Sequence, residues 1–112
     1  MAESILKENS KELAKDIVIL CKQLKSPLAN QLIRSGTSIG ANIHEANYAQ
    51  SKSDFINKLE IALKECHETE YWLELLFETG SLEEEQYKKL RNQAGTIRRM
   101  LISSCKTAKS NR

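Results

Sequence analysis

Turn-forming residues are scarce in this chain of 112 residues, which contains one proline and four glycines. A β-rich domain needs many turns, and turns depend on residues such as glycine and proline. The scarcity therefore argues against a β-rich fold, while long segments rich in Glu, Lys, Leu and Ala favour helices. Aromatic residues make up only 5% of the chain, whereas the 40% hydrophobic and 29% charged content is typical of one globular domain.

Long hydrophobic runs are also missing. The longest, "IVILC" at residues 17–21, is far shorter than the roughly 20 residues that cross a bilayer. The N-terminus has no apolar signal core, so we expect a cytoplasmic protein without a membrane span. Three cysteines, Cys21, Cys66 and Cys105, lie far apart and without CxxC spacing. We therefore expect buried, reduced thiols instead of disulfides or a zinc site.

Apolar residues recur at steps of three and four along four segments, as they do in helices that bury one face. The pattern predicts helices at about residues 3–25, 27–50, 53–79 and 82–107. Because the connections span only about two to four residues, each helix must run antiparallel to its predecessor. We predict an all-α fold, an antiparallel up-down-up-down four-helix bundle, with residues 1–112 as a single domain.

Capping residues support these boundaries. Gly80 follows the third apolar pattern and predicts the C-terminal end of that helix. Serines at three predicted helix starts are N-cap candidates: Ser26 before Pro27, Ser51 or Ser53, and Ser81 in a capping box with Glu84.

The stretch "IRSGTSIGANIHEA", residues 33–46, is unusually rich in small residues. Its regularly spaced isoleucines favour a helix over a flexible loop, and it lacks the lysine and preceding strand of a phosphate-binding loop. Gly36 and Gly40 lie four residues apart, which would let another helix backbone come close. A helix broken near Gly36 is the alternative.

Charge is unevenly distributed over the last two predicted helices. Residues 52–80 contain three lysines and seven acidic residues, a net charge of −4, whereas residues 81–112 contain eight basic and three acidic residues, a net charge of +5. A basic stripe of this kind can bind the phosphates of RNA or DNA. The candidate nucleic-acid contacts are one residue of the second helix and seven residues of the fourth: Arg34, Lys88, Lys89, Arg91, Arg98, Arg99, Lys106 and Lys109.

A second interpretation explains the same charges structurally. The fourth helix would complement the acidic third helix, and Arg34 would form an internal ion pair. Cations also suit the C-terminal end of a helix. The sequence leaves both interpretations open, but no aromatic residue follows residue 87, so we expect no base-stacking surface.

Motifs for catalysis and metal binding are absent from the sequence. Neither His44 nor His67 follows a glutamate three residues earlier, as di-metal helical bundles require. Cys66 and His67 are adjacent and would point about 100° apart on a helix. We therefore expect no enzymatic activity and no metal or cofactor.

Four further residues are candidates for helix packing or assembly. Asn42 and Glu45 lie on or beside the small-residue face of the second helix, where they could bond across helices or subunits or form only local contacts. Tyr71 and Trp72 lie beside the apolar stripe of the third helix. They could anchor an interface or close one end of the core.

The segments "QLIRSGTSIGANIHEA" (residues 31–46) and "SKSDFINKLEIALKECHETEYWLELL" (residues 51–76) closely resemble a bacterial family of small four-helix bundle proteins. The family includes proteins encoded by intervening sequences inside 23S ribosomal RNA genes, and the accessory variability protein of diversity-generating retroelements is a relative. The resemblance covers about residues 5–106.

The resemblance implies an antiparallel four-helix bundle that assembles into a ring-like pentamer. The retroelement member is understood to bind nucleic acid and a reverse transcriptase. The expected function is therefore a non-enzymatic oligomeric scaffold that contacts RNA or DNA through its basic last helix. The alternative is an adaptor ring that binds another protein, such as a reverse transcriptase, without contacting nucleic acid.

Assembly is the first testable prediction. Ile33, Ile61, Tyr71 and Trp72 lie outside the single apolar face that a helix in a lone bundle needs, which predicts a second buried face. Light scattering at micromolar concentration should therefore report a multiple of the monomer mass, about five-fold for a pentamer. Detection of the monomer alone would contradict the prediction.

Overall fold

The computed structural model describes residues 2–111 of the chain, with the side chains of residues 5–111. Arg112, counted above with the basic residues, lies outside the described residues. Four helices and no strand occur within them, which confirms the all-helical prediction. The helices are α1 (Ala2–Gln23), α2 (Leu28–Ala46), α3 (Lys52–Glu78) and α4 (Glu84–Ser110).

The helices form an elongated bundle of 46 × 20 × 20 Å. Each helix packs against its predecessor, and α4 returns to pack against α1. Contacts between α2 and α3 run in opposite directions along the two helices, since Glu45 meets Lys58 while Ser35 meets Thr69. Ile17 and Ser10 of α1 likewise meet Gly36 and Gly40 of α2, and Glu70 and Glu60 of α3 meet Arg98 and Lys109 of α4. Each helix therefore runs antiparallel to its predecessor, which is the up-down-up-down arrangement.

One apolar stripe from each helix fills the core. The largest fully buried apolar side chains are Leu13, Ile17, Leu32, Ile39, Leu73, Leu76, Ile97 and Leu101. Two hydroxyls are buried between α2 and α3, where the Thr69 hydroxyl donates to Ser35 Oγ at 3.0 Å and the Ser35 hydroxyl donates to the Leu32 carbonyl at 3.3 Å. This pairing removes the cost of burying polar groups without partners.

The predicted N-cap Ser51 and the predicted C-terminal glycine are present, whereas the predicted N-cap Ser26 is wrong, because Pro27 is the N-cap of α2 and Leu28 its first residue. The Leu28 N–H donates to Ser26 Oγ at 3.1 Å at the start of α2. At the start of α3, the Asp54 N–H donates to the Ser51 hydroxyl at 3.0 Å, so Ser51 and not Ser53 is the cap. Gly80 ends α3 with a φ of 80°, a left-handed conformation that glycine adopts without strain.

The predicted capping box at Ser81 and Glu84 is wrong. The N-cap of α4 is Glu83, in extended conformation and without a side-chain capping bond, and the helix begins at Glu84 instead of near residue 82. Ser81 instead belongs to the end of α3, because its N–H donates to the Leu76 carbonyl at 2.9 Å. This bond is part of the same C-terminal motif as Gly80.

Two predicted helix ends also differ from the structure. α2 ends at Ala46 instead of about residue 50. There the N–H groups of Asn47, Tyr48 and Ala49 bond to carbonyls three residues back instead of four, which tightens the chain into turns. α4 continues to Ser110, beyond the predicted end at about residue 107.

Gly36 and Gly40 both lie within α2 and face α1. A Cβ atom added at Gly36 would lie 2.5 Å from Ile17 Cδ1 and 3.2 Å from Ile17 Cγ2. At Gly40 the nearest contact would be the Ser10 carbonyl oxygen at 3.5 Å, an ordinary van der Waals distance. The close approach of α1 and α2 therefore requires a glycine at position 36 more strictly than at position 40.

The two glycines predict opposite effects of alanine. Gly40→Ala should stabilise the protein by up to about 1 kcal/mol, because alanine is the better helix former and the site has room. Gly36→Ala should overpack the fully buried Ile17, at a typical cost of about 1–3 kcal/mol that offsets or exceeds this gain.

Chemical denaturation of the two variants provides the measurement. Ile17→Val removes the Cδ1 atom that lies closest, so it should cost less in the Gly36→Ala background than in the wild type. An equal gain in stability from both glycine substitutions would contradict the proposed contact.

Candidate nucleic-acid interface

The rotation of α4 about its axis is set by its apolar stripe. Leu90, Ala94, Ile97, Leu101 and Cys105 are buried in the core, so residues on the opposite side of the helix face solvent. At about 100° per residue, positions 99 and 106 lie about 20° apart on this outward side, whereas position 91 lies at its edge, on the side that carries positions 98 and 109. This outward side of α4 carries part of the predicted basic stripe.

Four of the α4 candidates form ion pairs within the protein. Two of them reach α3: Arg98 Nε lies 3.0 Å from Glu70 Oε1, and Lys109 Nζ lies 2.6 Å from Glu60 Oε2. Lys89 pairs with Asp16 of α1 at 3.7 Å. Lys88 pairs with Glu84 one helical turn earlier at 3.8 Å.

Arg34 is held in the internal ion pair that the second interpretation anticipated. Its Nη1 atom lies 3.3 Å from Glu65 Oε2, and its Nη2 atom contacts the Glu68 carboxylate. Both glutamates belong to α3, so this cluster joins α2 to α3. Arg34 lies on a different helix from the rest of the basic stripe and is neutralised by two carboxylates.

Three of the eight candidates have no ion-pair partner within residues 5–111: Arg91, Arg99 and Lys106. All three are exposed. The Arg91 guanidinium lies 5.1 Å from the centre of the Tyr87 ring, in cation–π contact. Arg99 makes one hydrogen bond, from Nη2 to Thr96 Oγ1 at 3.4 Å. We call these three residues the outer basic face of α4.

Gly95 lies beneath two of the guanidinium groups. A Cβ atom there would be 3.4 Å from Arg99 Nη1 and 3.6 Å from Arg98 Nη2, and the glycine is buried although it faces away from the core. The two arginine side chains therefore fold back along the helix over this residue. Gly95 was not among the residues predicted from the sequence, although its spacing of three and four residues before the arginines is the signal for such a contact.

Asn42 and Glu45 make contacts within this one chain. The Asn42 side-chain amide donates to the Ser38 carbonyl of its own helix at 2.8 Å. Glu45 Oε1 lies 3.1 Å from Lys58 Nζ and so links α2 to α3. Within the chain, Asn42 therefore makes a local contact and Glu45 an interhelical one.

Tyr71 and Trp72 form an aromatic pair on α3. Their ring centres are 5.1 Å apart with the planes at 70°, an edge-to-face arrangement. Trp72 packs against the core, whereas Tyr71 is 58% exposed. The Trp72 Nε1 atom is buried and has no hydrogen-bond partner among the described residues.

Neither a membrane-spanning helix nor a metal-binding cluster occurs in the described residues. No helix between residues 2 and 111 combines the length and the apolar character needed to cross a membrane. Within the same part of the chain, no three His, Cys, Asp or Glu residues are grouped so that they could hold a metal ion.

Comparisons with known proteins agree with this architecture. The family model described as 23S rRNA-intervening sequence protein matches residues 2–103. A crystal structure of a protein of unknown function from the S23 ribosomal protein family of Bacteroides thetaiotaomicron VPI-5482 has 50% sequence identity and a TM-score of 0.93. The alignment covers 95% of this chain and 99% of that chain. No curated protein matched the sequence.

The Cys66 thiol lies between α3 and α4, near the Glu70–Arg98 ion pair. It is fully buried and donates to the Ala94 carbonyl at 3.2 Å. Burial, followed by the nearby Glu70 carboxylate, raises the pKa of the Cys66 thiol from 9.0 to about 12, and Arg98 partly opposes the shift. Because the thiolate is the nucleophilic form, Cys66 is unsuited to catalysis at neutral pH.

The raised pKa predicts a pH-dependent contribution to stability. Below pH 9 the thiol is protonated in both the folded and the unfolded chain, so it contributes no pH dependence. Between pH 9 and about 12 only the unfolded chain loses the proton, so the free energy of unfolding falls by up to about 1.4 kcal/mol per pH unit.

Cys66→Ala should remove this component. Urea unfolding at pH 8, 9.5 and 10.5 should show a steeper loss of stability in the wild type than in the variant. Other groups titrate equally in both proteins, so the difference isolates Cys66. Parallel curves would contradict the raised pKa of the Cys66 thiol.

Proposed function

The chain belongs to the family of 23S rRNA-intervening sequence proteins, and from this premise we propose that it is a non-enzymatic helical scaffold that binds the phosphate backbone of RNA or DNA. The contact surface is the outer basic face of α4, formed by Arg91, Arg99 and Lys106. Binding to nucleic acid further implies a cytoplasmic location.

One observation carries the proposal: these three cations are exposed and have no ion-pair partner in residues 5–111. A cation that already pairs with a carboxylate gains less from a phosphate, because it must first lose its partner. The outer basic face requires no such exchange. It extends over 15 residues of helix, or about 22 Å. The phosphates of one strand lie about 3.4 Å apart along the axis of duplex DNA, so a face of this length can contact several of them.

The composition of this face favours backbone contact over base recognition. Its only aromatic neighbour, Tyr87, lies under Arg91 and stacks on Phe77 with ring centres 4.4 Å apart. No aromatic ring is thus free on α4 to stack on a base. Contacts to phosphates position a nucleic acid but carry no sequence information, so we expect binding that depends little on sequence.

Assembly would strengthen this binding. We propose the ring-like pentamer implied by the resemblance, which would repeat the outer basic face around its axis. Several weak phosphate contacts then act together, because each one after the first is intramolecular. The apolar and aromatic residues outside the core stripe, including Tyr71, support a second buried surface.

A second candidate function is an adaptor that binds another protein, such as a reverse transcriptase. The exposure of Tyr71 beside Trp72 favours it, because aromatic residues are enriched at protein interfaces. In this case the charges on α4 would serve solubility and assembly alone.

Salt-dependent binding distinguishes the two functions. Wild-type protein should bind duplex DNA and structured RNA of unrelated sequences with similar affinity at low salt. On duplex DNA, the Arg99→Ala/Lys106→Ala variant should bind more weakly and flatten the slope of log K against log salt by up to about two units. Fluorescence anisotropy over a range of salt concentrations gives both quantities.

A charge-matched variant serves as the control. Lys11→Ala/Lys15→Ala removes the same charge from exposed positions of α1. These positions lie about 100–140° around α1 from Asp16, which contacts α4. This variant should retain the wild-type salt slope. Absence of binding at low salt, or an equal loss in both variants, would refute the proposal and favour the adaptor.

A further inference from the structure

An apolar cavity of about 220 Å³ opens at one end of the bundle. It lies where α2 joins α3, close to the start of α1 and the end of α4. All four helices contribute to its wall, and six apolar residues line it: Leu6, Ile43, Ala46, Phe55, Leu59 and Ala108. Five of these six are buried core residues, so the cavity is continuous with the hydrophobic core.

The opposite end of the bundle is packed differently. There the rings of Phe77 and Tyr87 stack with their centres 4.4 Å apart, and Leu82 in the connection between α3 and α4 is buried. Protein interiors rarely contain voids much larger than a water molecule. A cavity of about 260 Å³ also lies at that end, but four of its seven lining residues are polar: Asp16, Gln23, Gln86 and Lys89. The mainly apolar wall of the first cavity is the one that suits an apolar ligand.

The mouth of the cavity carries polar groups, among them a cation. Lys52, the first residue of α3, lines the cavity and is exposed. Its Nζ atom donates to the Asn111 main-chain carbonyl at 2.7 Å, across the mouth from α3 to the end of α4. An ammonium group has three donors, so two remain for another acceptor.

We propose that this cavity binds a small amphiphile, a medium-chain carboxylate whose chain occupies the apolar interior and whose head group pairs with Lys52. A few polar groups beside an apolar wall are the usual composition of a ligand site. The volume is about seven times the ~30 Å³ that a water molecule occupies in the liquid, and a cavity of roughly 150 Å³ is already able to bind benzene. A chain of about six to eight carbon atoms therefore fits.

Sodium octanoate is the probe for the site. It should shift the NMR signals of Ile43 and Leu59 in a saturable manner and raise the melting temperature. Octanol, which has the same chain length without the charge, should bind more weakly. Lys52→Met should weaken octanoate binding by up to about five-fold and leave octanol binding unchanged.

Filling the cavity provides the decisive variants. Ala46→Leu and Ala108→Leu approach it from α2 and α4, and either variant that folds should lose octanoate binding. Ala41→Leu places the same change on an exposed position of α2 and should bind octanoate like the wild type.

Three results would overturn the proposal. These are no saturable shift at 10 mM octanoate, wild-type binding in a folded cavity-filled variant, or equal octanoate affinity in Lys52→Met. The titrations contain no nucleic acid, so their failure would leave the proposal for the outer basic face of α4 unaffected.

Discussion

The burial of one apolar stripe fixes the orientation of α4, and the surface charge of the protein depends on that orientation. With Leu90, Ile97 and Leu101 in the core, Arg98 and Lys109 face the acidic α3 and pair with it. The outer basic face is what remains on the solvent side. A rotation of α4 by one residue, about 100°, would bury different residues and expose different cations.

The packing of α2 differs from that of the other helices. Gly36 brings it close to Ile17 of α1, while its other side carries the buried Ser35–Thr69 hydroxyl pair with α3. Hydroxyl pairing requires one relative position of α2 and α3, so it favours a unique register, whereas apolar contacts tolerate sliding. The glycine contact with α1 and the hydroxyl pair with α3 therefore position α2 from two sides.

The sequence was sufficient to predict the number of helices and their antiparallel order, because the apolar period and the short connections are local signals. The prediction failed at Ser81, where the motif that ends α3 competed with the predicted capping box of α4. The Ser81 N–H group bonds to the Leu76 carbonyl at the end of α3. It also failed at the end of α2, where tight turns replaced the last predicted helical turn.

Which cations form ion pairs between helices could not be predicted, because each of these ion pairs joins residues far apart in the sequence. Arg34 and Glu65 are separated by 31 positions, and Arg98 and Glu70 by 28. Only the folded chain shows that these cations are neutralised while Arg91, Arg99 and Lys106 have no ion-pair partner in its described part. The apolar cavity could not be predicted from the sequence either, because its wall combines residues from all four helices.

Chemical footprinting shows directly whether the outer basic face of α4 contacts nucleic acid. Arginines are modified with phenylglyoxal and lysines with an acetylating reagent, with and without a duplex RNA at low salt, and the extent at each residue is measured by mass spectrometry. If the outer basic face of α4 contacts the phosphates, RNA should protect Arg91, Arg99 and Lys106, while Lys11 and Lys15 of α1 should react equally in both conditions. Equal modification of Arg91, Arg99 and Lys106 with and without RNA would contradict this contact.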